Sequence, residues 1–200
     1  MFESKYAKIE YIEKDDAVFH IWKKEAHFAD YREPVTASLA LLREHPGSLF
    51  IVDARNGFED VPEDVEWGFQ YFLPELEKTG CRIWGFILPE VSDIEGEIDL
   101  WTAEIVKHFT VIRAESYEDV ILQAQIERIT YYEALMHQAE NGDPEALRQL
   151  AEYYSSPAWK LDFAADEAGQ FPKDLKRGVL SEDGIYNLLE RVREITGGPR

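Results

Sequence analysis

Two short runs constrain this chain more than anything else in it: Leu49-Phe50-Ile51-Val52 and the strand expected over residues 82–88. The first is apolar without a break, so a strand built from it is buried on both faces of its pleat. A sheet covered on both sides needs helices, and helical stretches flank these runs. Residues 31–45 carry Val35, Leu39 and Leu42 at helical spacing, with Asp30 as the expected N-cap and Pro34 tolerated in the first turn. Gly47 stops that helix. Residues 63–79 form the next, closed by Gly80 and kinked at Pro74. Residues 97–108 form a third, and 111–114 a last strand. Strand–helix alternation with short connections predicts parallel strands joined by right-handed crossovers. Ahead of them, residues 7–13 and 17–22 surround the turn Lys14-Asp15-Asp16 as a β-hairpin. The expected fold is α/β: a mixed, mostly parallel sheet with an N-terminal hairpin and covering helices over residues 1–122.

Residues 123–200 read as an all-helical extension. Ser116 with Asp119 resembles a capping box, and no Pro or Gly occurs from there to Asn141, so one helix runs towards Glu140. Gly142 ends it, Asp143 caps the next, and Pro144 begins a helix reaching Tyr154. Residues 155–180 read as irregular, and Ser181 caps a last helix running to about Ile195.

Charge narrows the function. Forty acids against 21 bases leave −19, a surface that repels nucleic acid phosphates and anionic membranes. Its simplest role is solubility. No apolar run is long enough for a membrane span, and the first residues lack the apolar stretch of a secretory signal, so a cytoplasmic location is expected. Cys81 is the single cysteine, which excludes a disulfide within the chain and leaves a thiolate metal site without partners.

Phe50-Ile51-Val52-Asp53-Ala54-Arg55-Asn56, Glu66-Trp67, Leu73-Pro74 and residues 83–89 together resemble STAS-like domains of the SpoIIAA-like type over residues 7–122. Such domains are generally non-catalytic and bind protein partners or small ligands. Anti-anti-sigma members are switched by phosphorylation of a Ser in the turn after the central strand. Here no Ser or Thr occurs between Ser48 and Thr79, so that switch lacks its hydroxyl. Leu150, Tyr153-Tyr154, Trp159, Asp162-Phe163, Asp166-Glu167, Pro172, residues 174–183, Tyr186 and Leu188-Leu189 make residues 124–196 similar to a family catalogued as domain of unknown function 4298, which implies no activity. Residues 139–146 also look like one Sel1/TPR-type repeat; a single copy reads as a helical hairpin.

In an α/β sheet, ligands bind outside the carboxyl ends of the strands. Acids crowd both loops there: Glu59, Asp60, Glu63, Asp64 and Glu66 after one buried strand, and Glu90, Asp93, Glu95, Glu97 and Asp99 after the other. They suit a basic partner or a weak Ca²⁺ site, with a solvated loop of helix-starting acids as the plainer alternative. Asp53, Arg55 and Asn56 are candidate binding residues at the strand exit, with satisfaction of the turn itself as the plainer alternative. Asp162, Asp166, Glu167, Lys176 and Arg177 are candidates in the long C-terminal segment, where they either bind a ligand or pair with one another while aromatic residues pin the segment down.

Catalytic constellations are missing from the pattern. His20, His27, His45, His108 and His137 are scattered without zinc-site spacing, no Gly-rich loop follows a strand, and Cys81 has no evident base. The chain is expected to need no cofactor and to be a non-enzymatic regulatory or protein-interaction protein with a protein partner. The alternative is a carrier or sensor of a small apolar ligand, with Trp67, Phe69, Phe72 and Trp84 lining its pocket.

Overall fold

The computed structural model describes residues 1–89, 95–181, 183–184, 186–187 and 190. The chain divides into two compact units, Met1–Ile121 and Leu122–Arg200.

The first unit holds a six-stranded sheet whose spatial order follows chain order. Strands β1 (Phe2–Glu3), β2 (Ala7–Ile12) and β3 (Ala17–Trp22) are antiparallel; β3, β4 (Leu49–Asp53), β5 (Ile83–Ile87) and β6 (Thr110–Ala114) are parallel. The expected hairpin, parallel interior and helical cover are all present; β1, two residues long, carries no sequence signal. All five residues of β4 and of β5 are buried, as their unbroken apolar character requires.

Because each parallel strand lies beside its predecessor, crossovers of one hand put the connecting helices on one face. These are α1 (Ala29–Glu44), α2 (Pro62–Trp67), α3 (Leu73–Glu77) and α4 (Glu95–Ile105). Their Leu39, Leu42, Leu76 and Ile105 form one core with Phe50, Val52, Trp84 and Phe86 of the sheet. The opposite parity meets α5 (Tyr117–Glu140): a Cβ on Gly85 would come within 2.4 Å of Val120 Cγ1.

Two helices differ from expectation for physical reasons. The cap of α1 is not Asp30, which falls inside the first turn. The preceding residue, Phe28, is held at φ 54° and its N–H donates to Asp64 Oδ2 at 2.6 Å, while Arg32 Nε donates to Asp64 Oδ1 at 2.6 Å. A buried acid distant in sequence caps the helix. The stretch 63–79 is helical as expected, but the disturbance at Pro74 takes the form of a π-turn, Gly68–Phe72, between α2 and α3. In this turn the Leu73 N–H donates to Gly68 O, five residues back, and Pro74, which has no N–H to offer, follows directly.

In the second unit α6 (Pro144–Tyr154) starts at the expected cap, with Asp143 accepting from the N–H groups of Glu145 and Ala146. Residues 155–180 are not all irregular: α7 (Pro157–Glu167) occupies the first half. Ser156 Oγ accepts from Trp159 N at 3.2 Å and Pro157 opens the helix, a start signal as clear as that of α6. Ile129, Leu150, Tyr153, Trp159, Phe171 and Val179 make the core of this unit. The helix expected from Ser181 to about Ile195 lies largely outside the described residues. No helix among the described residues is long and apolar enough to cross a membrane.

Candidate functional site

Alternate residues of β3, β4 and β5 point their side chains to the helix-covered face, and register aligns His20 with Val52, Phe50 with Trp84, and Val52 with Phe86. Together with Tyr31 and Val35 of α1 and Ile98 and Trp101 of α4, these residues wall a cavity of about 70 Å³. The loop after β4 supplies Ala54, Gly57, Phe58 and Asp60, so the cavity reaches the carboxyl end of the sheet, where α/β proteins bind ligands. Trp22 stacks on Tyr31 at 5.4 Å between centroids, and Phe58 meets Trp22 edge-on at 5.2 Å.

Trp101 reaches the cavity because Gly68 has no side chain: a Cβ there would lie 2.2 Å from the indole. Trp101 Nε1 donates to Glu97 Oε1 at 2.8 Å and to Asp60 Oδ2 at 3.0 Å; Tyr31 Oη donates to the same Asp60 oxygen at 3.0 Å. Burial, reinforced by the neighbouring Glu97 charge, pushes the Asp60 carboxyl up to about 7, although the two hydrogen bonds pull the other way. Burial raises Glu97 as well. A more open depression, lined by Pro62, Val65, Phe69 and Leu100, shares both Asp60 and Glu97 with the cavity. The two acids therefore stand where inner and outer spaces meet.

His20 is the other polar group in the wall. Burial pushes it down to about 3, so it is neutral. Ser38 Oγ–H donates to Pro34 O at 3.3 Å, which leaves that oxygen to accept from His20 Nδ1–H at 2.9 Å; this network assigns the free lone pair to Nε2. His20 Nε2 and Trp84 Nε1 are both buried, both belong to residues lining the cavity, and neither has a hydrogen-bond partner among the described residues. Buried polar atoms without partners are uncommon and invite a ligand or water.

The acids expected on one rim do not act together. Asp60 and Glu97 meet at the cavity, Asp64 caps α1, Asp99 pairs with Arg113 and Glu66 accepts from Gln70, while Glu90 and Asp93 lie outside the described residues. Among the described residues no group of three or more His, Cys, Asp or Glu is arranged to hold a metal ion. Asp53 accepts from Arg55 Nε at 2.9 Å and Nη2 at 2.6 Å and from the Arg55 backbone N–H, while Asn56 Nδ2 donates to Trp22 O at 3.4 Å. Asp53 and Arg55 thus pair within the turn, while Asn56 reaches the neighbouring strand β3. Asp162, fully buried, accepts from Arg128 Nε at 2.7 Å, Arg128 Nη2 at 2.6 Å and Tyr153 Oη at 2.7 Å, so it faces the interior. Arg177 pairs with Asp166, and Glu167 and Lys176 are exposed. Of the aromatic residues expected in a pocket, Phe72 and Trp84 line the cavity and Phe69 the outer depression; Trp67 lines neither. Sequence reasoning missed His20, Tyr31 and Trp101, although Trp101 lies one helical turn after Glu97 and that spacing is a usable signal. The Cys81 thiol is buried, donates to Ile83 O at 3.4 Å, and is pushed up to about 12, which keeps it protonated and unreactive.

These features define an α/β unit with an internal, aromatic-walled cavity, followed by a helical unit. Residues 118–197 match the model of a family described as Domain of unknown function (DUF4298), covering most of the helical unit. No curated protein matches the chain, and no solved structure does.

Proposed function

We propose that the first unit is a STAS-like, non-catalytic binding domain that carries or senses a small, largely apolar ligand in the cavity walled by β3, β4, β5, α1 and α4. The carrying observation is an aromatic cavity with two buried ring nitrogens, on His20 and Trp84, that no described residue satisfies. Ligand pockets are mostly apolar enclosures with a few placed polar groups, and this one has that composition. Docking of a protein partner has weaker support. The exposed large apolar side chains of the first unit, such as Phe28, Tyr71 and Leu100, come from separate elements.

Native mass spectrometry of gently purified protein tests the reading. The wild type is expected to carry a small-molecule adduct, and Val52→Phe, which fills the cavity, is expected to lose it while keeping the wild-type circular dichroism. A chain that carries no adduct, and that no small apolar compound stabilises in a thermal-shift screen, would overturn it.

A further inference from the structure

We infer that the ligand of this cavity is a small organic cation, an amine with an apolar body, whose ammonium group lies between Asp60 and Glu97. The inference rests on the cavity being a ligand site, and it names the ligand's chemistry.

Among the described residues, the acids that this protein buries most deeply each receive a cation, whereas the half-buried Asp60 and Glu97 do not. Asp53, Asp64 and Asp162 are all at least nine-tenths buried, and each has its own arginine: Arg55, Arg32 and Arg128 respectively. Asp60 and Glu97 have none. Among the described residues they receive hydrogen bonds from Trp101 and Tyr31, both neutral donors, and no Lys or Arg lines the cavity. Two carboxyl groups drawn together around one indole N–H lack the positive charge that the other three acids are given. A ligand ammonium would supply it, and a guest that closes these half-buried carboxyl groups off from solvent has to, since a buried carboxylate is costly until it is paired.

The walls suit the same ligand. Trp22, Tyr31, Phe58 and Trp101 bring aromatic rings to the space beside the two acids, and ring faces attract cations. A space of about 70 Å³ has room for about five water molecules, which restricts the ligand to a compact amine. Independently of the charge argument, the wall is incomplete without a guest. His20 Nε2 offers a buried acceptor and Trp84 Nε1 a buried donor, each unpartnered among the described residues. A metal ion fits poorly, because two carboxylates among aromatic rings offer too few oxygen ligands.

Calorimetric titration of the full chain at about pH 8, where a carboxyl of pKa about 7 is mostly ionised, tests this with n-propylamine and its neutral counterpart 1-propanol, both small enough for the space. The amine is expected to bind about tenfold or more tightly than the alcohol. Asp60→Asn and Glu97→Gln should each reduce that preference, and Glu104→Gln, an acid away from the cavity, should leave it intact. Binding should also shift the Trp84 indole N–H resonance. Equal affinity for amine and alcohol overturns the cation while leaving the cavity a ligand site. A preference that survives Asp60→Asn together with Glu97→Gln also overturns it, placing the attraction in general surface charge. Absence of binding by both probes overturns the cation if a co-purified adduct of another class is present. With no adduct either, the function proposed above falls too.

Discussion

Asp60 and Asp162 are the same side chain in opposite circumstances, and their energetics differ accordingly. Asp162 is held by both nitrogens of the Arg128 fork and by Tyr153. Arg128→Met leaves that carboxylate buried and unpaired, which is expected to cost about 3–5 kcal/mol. Adding Asp162→Asn should recover part of the loss, as read from denaturant midpoints; a single-variant cost below about 1 kcal/mol would rule out a structural ion pair. Asp60 has no such partner, and its folded-state pKa is raised from 3.8 to about 7. The folded chain therefore holds the proton more tightly than the unfolded chain. The contribution of the protonated acid is present below about pH 3.8 and is lost as pH rises through about 7. About three pKa units correspond to an upper bound of about 4 kcal/mol. Asp60→Asn, whose amide oxygen still accepts from Tyr31 and Trp101, should be more stable than wild type by about 1–3 kcal/mol at about pH 8, with the difference closing towards about pH 4. A pH-independent difference in chemical denaturation would refute that assignment.

Among the elements, β5 makes the most specific demand. Gly85 lies in a fully buried strand and faces Val120 so closely that any Cβ collides with it. Gly85→Ala is expected to destabilise by about 1–3 kcal/mol through overpacking. Val120→Ala in the same chain should restore much of this, giving a favourable coupling energy in a double-mutant cycle; strict additivity would mean that the helix lies elsewhere. The strands were legible because two-sided burial writes itself into a run such as Phe50-Ile51-Val52. Helix α7 was legible as well, through Ser156-Pro157, but the mixed charges of residues 155–180 obscured the start signal. The cap of α1 was not legible, since capping rules look one turn away and Asp64 arrives from another element.

Across the whole molecule, two separate cores divide the work: one beneath the sheet of Met1–Ile121, the other among the helices of Leu122–Arg200. Every residue lining the cavity belongs to the first. A ligand that binds only the folded form adds about 2.7 kcal/mol at a hundredfold excess over Kd. Hydrogen exchange with saturating n-propylamine is therefore expected to slow in β3, β4, β5 and α1, with much less change in α6 and α7; equal slowing in both units would show that they open as one body. The sequence by itself determined the alternation of strands and helices, the two-sided burial of β4 and the all-helical character of the second unit, because hydrophobic patterning is a local property of the chain. Tertiary structure alone decided which acids receive an arginine and which do not, and that His20, Trp84 and Trp101 surround one space. Those outcomes depend on sheet register and on close approaches such as Gly68 to Trp101, which bring together residues that no local pattern relates.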